Sequence, residues 1–367
     1  MDVALDERHI ALGKVARALF ETRCPLDIVR QLEVHELGYL PELWREMANL
    51  DWLGMSYPES AGGAGAGITD LAVLYIEMGR ALIPSPHLSS AVICGHILVA
   101  DASRGDLVAE MIAGEAILAP ALVEESGEFG PHAITLPATP SGAGYRLSGT
   151  KLLVPYAHVA RHLLVSARTP DGVTLFLVDP AAAVLEQLPN IAGYPLFAVT
   201  FDGVEVGPDA IVGTVGRGHD LLGPALDRAT VLRCAEIAGA GEALLDMTVT
   251  YAKQREQFGQ PIGRFQAVQY LCSDIAIDSH LTTLLSRRAA WTLDQGHPGR
   301  AEVAAAKAYA SRAAQHIVHC AHEIYAGMAF MLEADVQLFT RRAKHWEFDL
   351  GDADYHDDVL AGLLETG

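Results

Sequence analysis

The sequence predicts an α+β chain of three consecutive blocks: a helical block, a compact antiparallel β domain, and a bundle of long helices. Three observations carry this. Apolar residues recur at helical spacing up to about residue 118. From 119 to 216 the chain turns into short β-rich runs punctuated by Gly, Pro, Asp and Asn. From 217 to 367 long helical segments return.

In the first block, "LPELWREMANLDWLGM" and "ITDLAVLYIEMGRALI" place apolar residues at i, i+3 and i+4 spacing, as amphipathic helices do. The loop between them, "SYPESAGGAGAG", follows no strand and ends in no Lys-Ser or Lys-Thr, so it is not a phosphate loop. Its glycines serve turns and close helix approach. In the second block, "YRLSGTKLLV", "ARHLLVSART", "GVTLFLVDP" and "FAVTFDGVEV" read as strands. The third block holds "LDRATVLRCAEIAGAGEALLDMTVTYAKQR", "FQAVQYLCSDIAIDSHLTTLLSRRAAWTLDQG" and "AEVAAAKAYASRAAQHIVHCAHEIYAGMAF". The Gly296–Gly299 turn separates the last two, giving antiparallel neighbours in a bundle. The domains expected are thus 1–118, 119–216 and 217–367.

Composition excludes several functions. The chain has 367 residues, 50% of them hydrophobic, which suits packed cores rather than disorder. A formal net charge of −20 opposes nucleic-acid binding and anionic membrane surfaces. No apolar run is long enough to span a bilayer, and "MDVALDERHI" lacks the basic and apolar regions of a signal peptide. The cysteines at 24, 94, 234, 272 and 320 are odd in number and scattered, which fits a reducing cytoplasm.

The most informative stretch is "YAKQREQFGQPIG", residues 251–263. A helical pattern breaks at Phe258-Gly259 and resumes beyond Gly263, with Arg255 just before the break and Gln266 just after it. A fixed cation and an amide flanking a glycine turn suit a ligand with phosphate and a ring. In isolation, Arg255 reads equally well as a cap on the last carbonyls of its helix.

The order of features shifts that balance toward a ligand. "LGMSYPESAGGAG", a central β domain, and then "YAKQREQFGQPIGRFQAVQ" together resemble the acyl-CoA dehydrogenases over nearly the whole chain. The R-x-x-F-G-x-x-x-x-x-x-Q stretch is the most specific part. The resemblance implies helical domain, β domain and four-helix bundle, with FAD as cofactor. It also implies that this motif holds the FAD of a neighbouring subunit, through Arg255 on the pyrophosphate, Phe258 packed on the cofactor and Gln266 hydrogen-bonded to it. A second part of the family's motif, Q-I-x-G-G-x-G, corresponds to "EIYAGMA". There Glu323 replaces Gln, and Gly327 alone of the three glycines matches.

The family reaction needs a carboxylate to take the α-proton of an acyl-CoA thioester. Two family positions carry that base, and here both are empty: Ala229 in "LDRATVLR", with Thr230 in place of an adjacent arginine, and Leu350 before Gly351. Asp349, one residue from the late position, and Asp227, two from the early one, could substitute only after a local rearrangement, and the solvated-surface reading is preferred for Asp349. The acidic run "DLGDADYHDD" and Glu347 read as a solvated C-terminal segment. Ahead of and within the β domain, "VEESGEFGP" and "GTKLLVPYA" stand where the family has TEP-x-AGSD and G-x-K-x-WITN. Leu153 replaces the Trp, and Pro155 replaces a side-chain donor to the flavin.

A chain that keeps the neighbour-facing clamp and lacks base and flavin pocket resembles the non-catalytic subunit of heteromeric α2β2 acyl-CoA dehydrogenases of actinobacterial steroid degradation. The expected partners are a catalytic acyl-CoA dehydrogenase subunit, an acyl-CoA substrate, and an electron-transfer flavoprotein. Two alternatives stay open: a self-sufficient homotetramer using Asp349, and a binding or scaffold protein without flavin chemistry. His319, Cys320 and His322 form "HCAHE", which lacks HExxH spacing and reads as a packed or solvated helix face rather than a metal site. Arg287-Arg288 and Arg341-Arg342 read as solvated or ion-paired.

Overall fold

The computed structural model describes residues 4–365; Met1–Val3, the start of the stretch compared with a signal peptide, lie outside it. Six helices come first: α1 Glu7–Arg23, α2 Leu26–Leu32, α3 Pro41–Asn49, α4 Ile68–Arg80, α5 Gly95–Val99 and α6 Gly105–Ile112. Eight strands follow: β1 Leu118–Ala121, β2 Ala138–Ser141, β3 Gly144–Pro155, β4 His162–Thr169, β5 Gly172–Val178, β6 Val184–Leu188, β7 Leu196–Val206 and β8 Ile211–Val212. The long helix α7, Gly218–Gln254, is followed by a hairpin of β9 Glu256–Gln257 and β10 Gln260–Pro261. Helices α8 Gln266–Asp294, α9 Arg300–Tyr325, α10 Val336–Phe348 and α11 Ala353–Glu365 complete the chain. No described helix is long and apolar enough to cross a membrane.

By packing, the chain forms two compact units, each assembled from separate stretches. One joins the described residues up to Gln31 with Gly67–Ile83 and everything from Thr230 onward. The other joins Leu32–Ala66 with Pro84–Ala229.

In the second unit, the strands form two four-stranded sheets, ordered β1-β4-β5-β8 and β2-β3-β7-β6. Every pairing is antiparallel except β1 with β4, which run parallel from Leu118↔His162 to Ala121↔Val165. Leu147 and Val154 of β3, Val199 and Phe201 of β7, Leu163 and Val165 of β4, and Phe176 of β5 share one buried core. Partial alternation of buried and exposed residues lets β3 and β7 give one face to that core, whereas β4 and β5 are buried almost throughout. The strands β1, β2, β6 and β8 go unread in the sequence, being short and in part Pro- or Ala-bearing.

In the first unit, α9 is the central element. Its buried positions are mostly alanines, from Ala304 to Ala321, and α8, α10 and α11 all pack on it. Alanine suits this role because it favours helix and lets neighbours approach on several sides. Helices α4 and α7 approach still more closely. A Cβ on Gly79 would lie 1.9 Å from the Glu236 carbonyl oxygen, and one on Gly239 would lie 1.9 Å from that of Ile76. Only glycine permits this mutual crossing. The acidic C-terminal run differs from expectation: it folds as α11, with His356 buried and Asp357 paired to Arg312 of α9. Arg342 also departs from the solvated reading, since it is buried in α10.

Candidate functional site

Helix α7 ends at Gln254, where the Arg255 amide donates to the Tyr251 carbonyl at 2.8 Å. The break that follows is a two-residue β-hairpin: Gln257 pairs with Gln260, and Phe258 (φ 53°) and Gly259 (φ 77°) form the turn. Positive φ at both turn positions is the geometry whose twist matches paired strands. Glycine adopts it freely, whereas phenylalanine does so at a cost of about 1–2 kcal/mol. The Phe258 ring is moreover 92% exposed, touching Phe265 edge-on with ring centres 6.0 Å apart. A strained backbone that holds an aromatic ring out in solvent points to a contact outside this chain.

Arg255 is exposed, and among the described residues no hydrogen bond or ion pair engages its guanidinium. It therefore does not cap the carbonyls of α7. Gln266 opens α8, exposed, with its amide donating to the Tyr270 hydroxyl at 2.5 Å. A Cβ on Gly259 would meet nothing within 4 Å, so the turn presents bare backbone.

The second candidate stretch lies at the same end of the bundle. Tyr251 of α7 stacks on Tyr325 of α9 with ring centres 4.1 Å apart. Glu323 and Gly327 flank that stack, both exposed, and open space surrounds Gly327. Met328, Phe330, Met331 and Leu332 follow as exposed apolar side chains. The structure thus brings Arg255, Phe258 and Gln266 together and places Glu323 and Gly327 at the same end.

The base positions have a different character. Ala229 is buried on α7. Leu350 takes a left-handed conformation (φ 61°) just beyond α10, and its carbonyl oxygen accepts from His356 Nε2 at 2.9 Å. Asp349 does not reach out as a free carboxylate. Its Oδ2 receives Arg233 Nη2 at 2.8 Å and Nε at 3.0 Å, and Arg233 also pairs with buried Glu236. Burial pushes the Asp349 carboxyl up, but Arg233, with His345 and Lys307, outweighs it and holds it below the usual range. Glu236, more deeply buried, is pushed the other way, above the usual range. Glu347 pairs with Lys344 at 2.7 Å.

In the β domain, the two eroded motifs prove half intact. Lys151, fully buried on β3, donates to Glu124 at 2.7 Å, to Ser166 at 3.1 Å and to the Leu122 carbonyl at 3.2 Å. Glu124 also accepts from the Thr135 and Leu136 amides. These two residues, the Glu of the first motif and the Lys of the second, fix the scaffold. Sequence reasoning misses them because it weighs ring contacts only. Beyond Lys151, β3 loses register with β7 up to Val154, and Leu153 stands half-exposed there with φ 54°. Pro155 offers no donor.

An FAD fits the hairpin side, where a free guanidinium, an exposed ring and open glycine backbone coincide. The strand carrying Leu153 and Pro155 offers no side-chain hydrogen bond to an isoalloxazine ring.

Comparison with known proteins gives consistent findings. Residues 6–115 match the acyl-CoA dehydrogenase N-terminal domain, and residues 216–362 match the C-terminal domain. The chain is 31% identical over 367 residues, 96% of each chain, to acyl-CoA dehydrogenase FadE27 of Mycobacterium tuberculosis. It is 32% identical to benzylmalonyl-CoA dehydrogenase of Aromatoleum aromaticum, over 82% of this chain and 83% of that one. Among solved structures, it superposes on a chain of the ChsE4-ChsE5 complex from M. tuberculosis with TM-score 0.91, 30% identity and full coverage of both. A variant of the Tcur3481-Tcur3483 steroid ACAD gives TM-score 0.86 and 31% identity over 98% of each chain.

Proposed function

The chain belongs to the acyl-CoA dehydrogenase family, and from that premise we propose that it is the non-catalytic subunit of a heteromeric FAD-dependent acyl-CoA dehydrogenase. FAD, the family's cofactor, supplies the hydride acceptor for α,β-dehydrogenation of an acyl-CoA thioester. This chain's part is to bind and orient. Arg255 places its guanidinium on the pyrophosphate of a cofactor seated in the partner, Phe258 packs on that cofactor, and Gln266 donates to it. The base comes from the partner, and an electron-transfer flavoprotein reoxidises the complex. The helical domain to 118, the β domain from 119 to 216 and the bundle from 217 are the working parts, in a cytoplasmic α2β2 assembly.

The observation that carries this reading is the pairing of Asp349 with Arg233. It commits the acid nearest the late base position to an internal ion pair, which disfavours the self-sufficient homotetramer. Exposed Phe258, Tyr270 and Ile277, with Met328, Phe330 and Leu332, support a partner-facing surface, since monomers seldom expose so many large apolar side chains together. The Tcur3481-Tcur3483 steroid ACAD supports a bulky steroid side-chain CoA ester as substrate, because giving up half of the acyl sites leaves room for one.

The test is co-expression of this chain, tagged, with an untagged catalytic dehydrogenase chain. One FAD per unlike pair, and a chain that alone is colourless and inert toward acyl-CoA, is the expected outcome. Stoichiometric FAD on the isolated chain, reduced by an acyl-CoA, overturns the proposal; a colourless complex points instead to a scaffold protein.

A further inference from the structure

The "HCAHE" run separates in three dimensions. His319 is exposed, His322 bonds Thr340 at 2.8 Å, and Cys320 turns to His316, one helical turn earlier. On the facing helix α8, Asp274 and Asp278 are likewise four residues apart, so two i, i+4 pairs meet across the α8–α9 contact. We propose that Asp274, His316 and Cys320 form a site for a divalent ion of the zinc class, with Asp278 orienting the imidazole.

The geometry points to this in three ways. Among the described residues, these three are the one group of His, Cys, Asp and Glu placed to hold a metal ion, their ligand atoms within 4.8 Å of one another. Cys320 Sγ and His316 Nε2 stand 3.5 Å apart. Zinc–sulfur and zinc–nitrogen bonds of about 2.3 and 2.0 Å at a tetrahedral angle put the two ligand atoms about 3.5 Å apart, so this pair is already spaced for the ion. The Asp274 carboxylate closes the remaining gap by a side-chain rotation. Finally, His316 Nδ1 lies 2.6 Å from Asp278 Oδ2, whose other oxygen accepts from the Tyr309 hydroxyl at 2.8 Å. A carboxylate on the far nitrogen fixes the tautomer and leaves Nε2 as the ligand, as in carboxylate–histidine–zinc sites.

The same three groups could be mistaken for a carboxylate–imidazole–thiol nucleophile. Cys320 is only 1% exposed, so no substrate carbonyl can reach it, and burial with Asp274 and Asp278 nearby holds its thiol up at about 11. An ion has no such difficulty, since the His316 side chain is half-exposed. On binding, the metal–sulfur bond forms and the thiol proton leaves to solvent. Thiolate and Asp274 carboxylate then neutralise the dication, which suits a partly buried position. His316 and Asp278 also line a cavity of about 450 Å³ together with Tyr309, Arg312, Asp357 and Leu360.

Cobalt(II) added to the chelator-treated full-length chain tests this optically. A thiolate-to-cobalt charge-transfer band with four-coordinate d–d absorption, displaced by zinc, is expected. Cys320→Ser should abolish the charge-transfer band, and His316→Ala should weaken binding at least tenfold. Asp278→Asn should weaken it about 10- to 100-fold. Because His316 is on the surface, His316→Ala keeps the fold and the comparison stands even if Cys320→Ser misfolds. No band, or the same band and affinity in both ligand variants, would mean that the cluster is a hydrogen-bonded helix contact only.

Discussion

Arg233 holds Asp349 Oδ2 by a hydrogen bond from Nε at 3.0 Å and an ion-pair contact from Nη2 at 2.8 Å, so the residue just before Leu350 is tied to α7. With its side chain 27% exposed, Asp349 is not fully shielded, and Arg233 keeps Glu236 as a second partner.

Asp349→Asn therefore tests structure against catalysis. The substitution removes the charge but not the shape, and should lower stability by about 2–3 kcal/mol. Dehydrogenase turnover of the assembled complex should stay within twofold. A loss of several orders of magnitude at unchanged fold would make Asp349 the base. The pH dependence has a definite sign: the folded carboxyl sits below its usual range, so its stabilisation is full above about pH 4 and is lost as pH falls further. In Asp349→Asn, this part of the acid sensitivity should vanish from denaturation curves.

Lys307 secures the same loop from α9. Its fully buried Nζ donates to Ser311 Oγ at 2.7 Å and to the carbonyls of Gly351 at 2.6 Å and Trp346 at 3.0 Å. Burial lowers its pKa to about 8, against the pull of Cys234, Asp349 and Asp352. Between pH 8 and about 10.5 the unfolded chain binds the proton that the folded one has released, so this group makes stability rise with pH, by up to about 3 kcal/mol. Relative to wild type, Lys307→Met should lack that rise in urea midpoints measured from pH 8 to 10.5. Parallel pH profiles for the two proteins would remove Lys307 as the source.

How far these features are legible in the sequence varies by residue. The long helices are legible because α8 and α9 keep 3.6-residue patterns for seven turns or more, and their turn carries Gly and Pro. Strands such as β1, "LAPA", are not, because four residues, one of them proline, carry no period of their own and are set by pairing with β4. Arg255, Phe258 and Gln266 are legible as a linear motif. That their segment is a hairpin is not, because Phe at a left-handed turn position contradicts local preference. The Arg233–Asp349 pair joins residues 116 apart, and no sequence period reports such a contact. The sequence shows no acid at Ala229 or Leu350, the positions the resemblance assigns to the base, but only the structure shows what Asp349 does instead.

Phe258 offers a test of that local contradiction. Phe258→Asn creates an Asn-Gly turn, the preferred sequence for a hairpin with both central residues at positive φ. The isolated chain should become more stable, by about 0.5–1 kcal/mol, because Asn tolerates the left-handed region. The complex should meanwhile lose flavin or dissociate more readily, as its exposed ring is gone. If thermal midpoint and flavin content both stayed at wild-type values, the ring would have neither a strain cost nor a partner.

Arg255 separates the two meanings of the break most sharply. With no hydrogen bond or ion pair on its guanidinium among the described residues, Arg255→Ala should leave the melting temperature of the isolated chain unchanged. In the complex, the loss of a charge-assisted contact to phosphate is worth about 1.5–3 kcal/mol, a weakening of FAD binding by roughly tenfold to a hundredfold. Arg255→Lys should recover little of it, since an ammonium cannot reproduce the two-pronged guanidinium contact. If the residue acts on a cofactor seated in the partner, the defect should appear with every residue of the catalytic chain intact. Flavin absorbance per mole of complex, measured at limiting FAD, reads the outcome. Full occupancy in Arg255→Ala would leave the hairpin as a strained and exposed turn with no anion to hold, and the contact that Phe258 awaits would then be with protein rather than with cofactor.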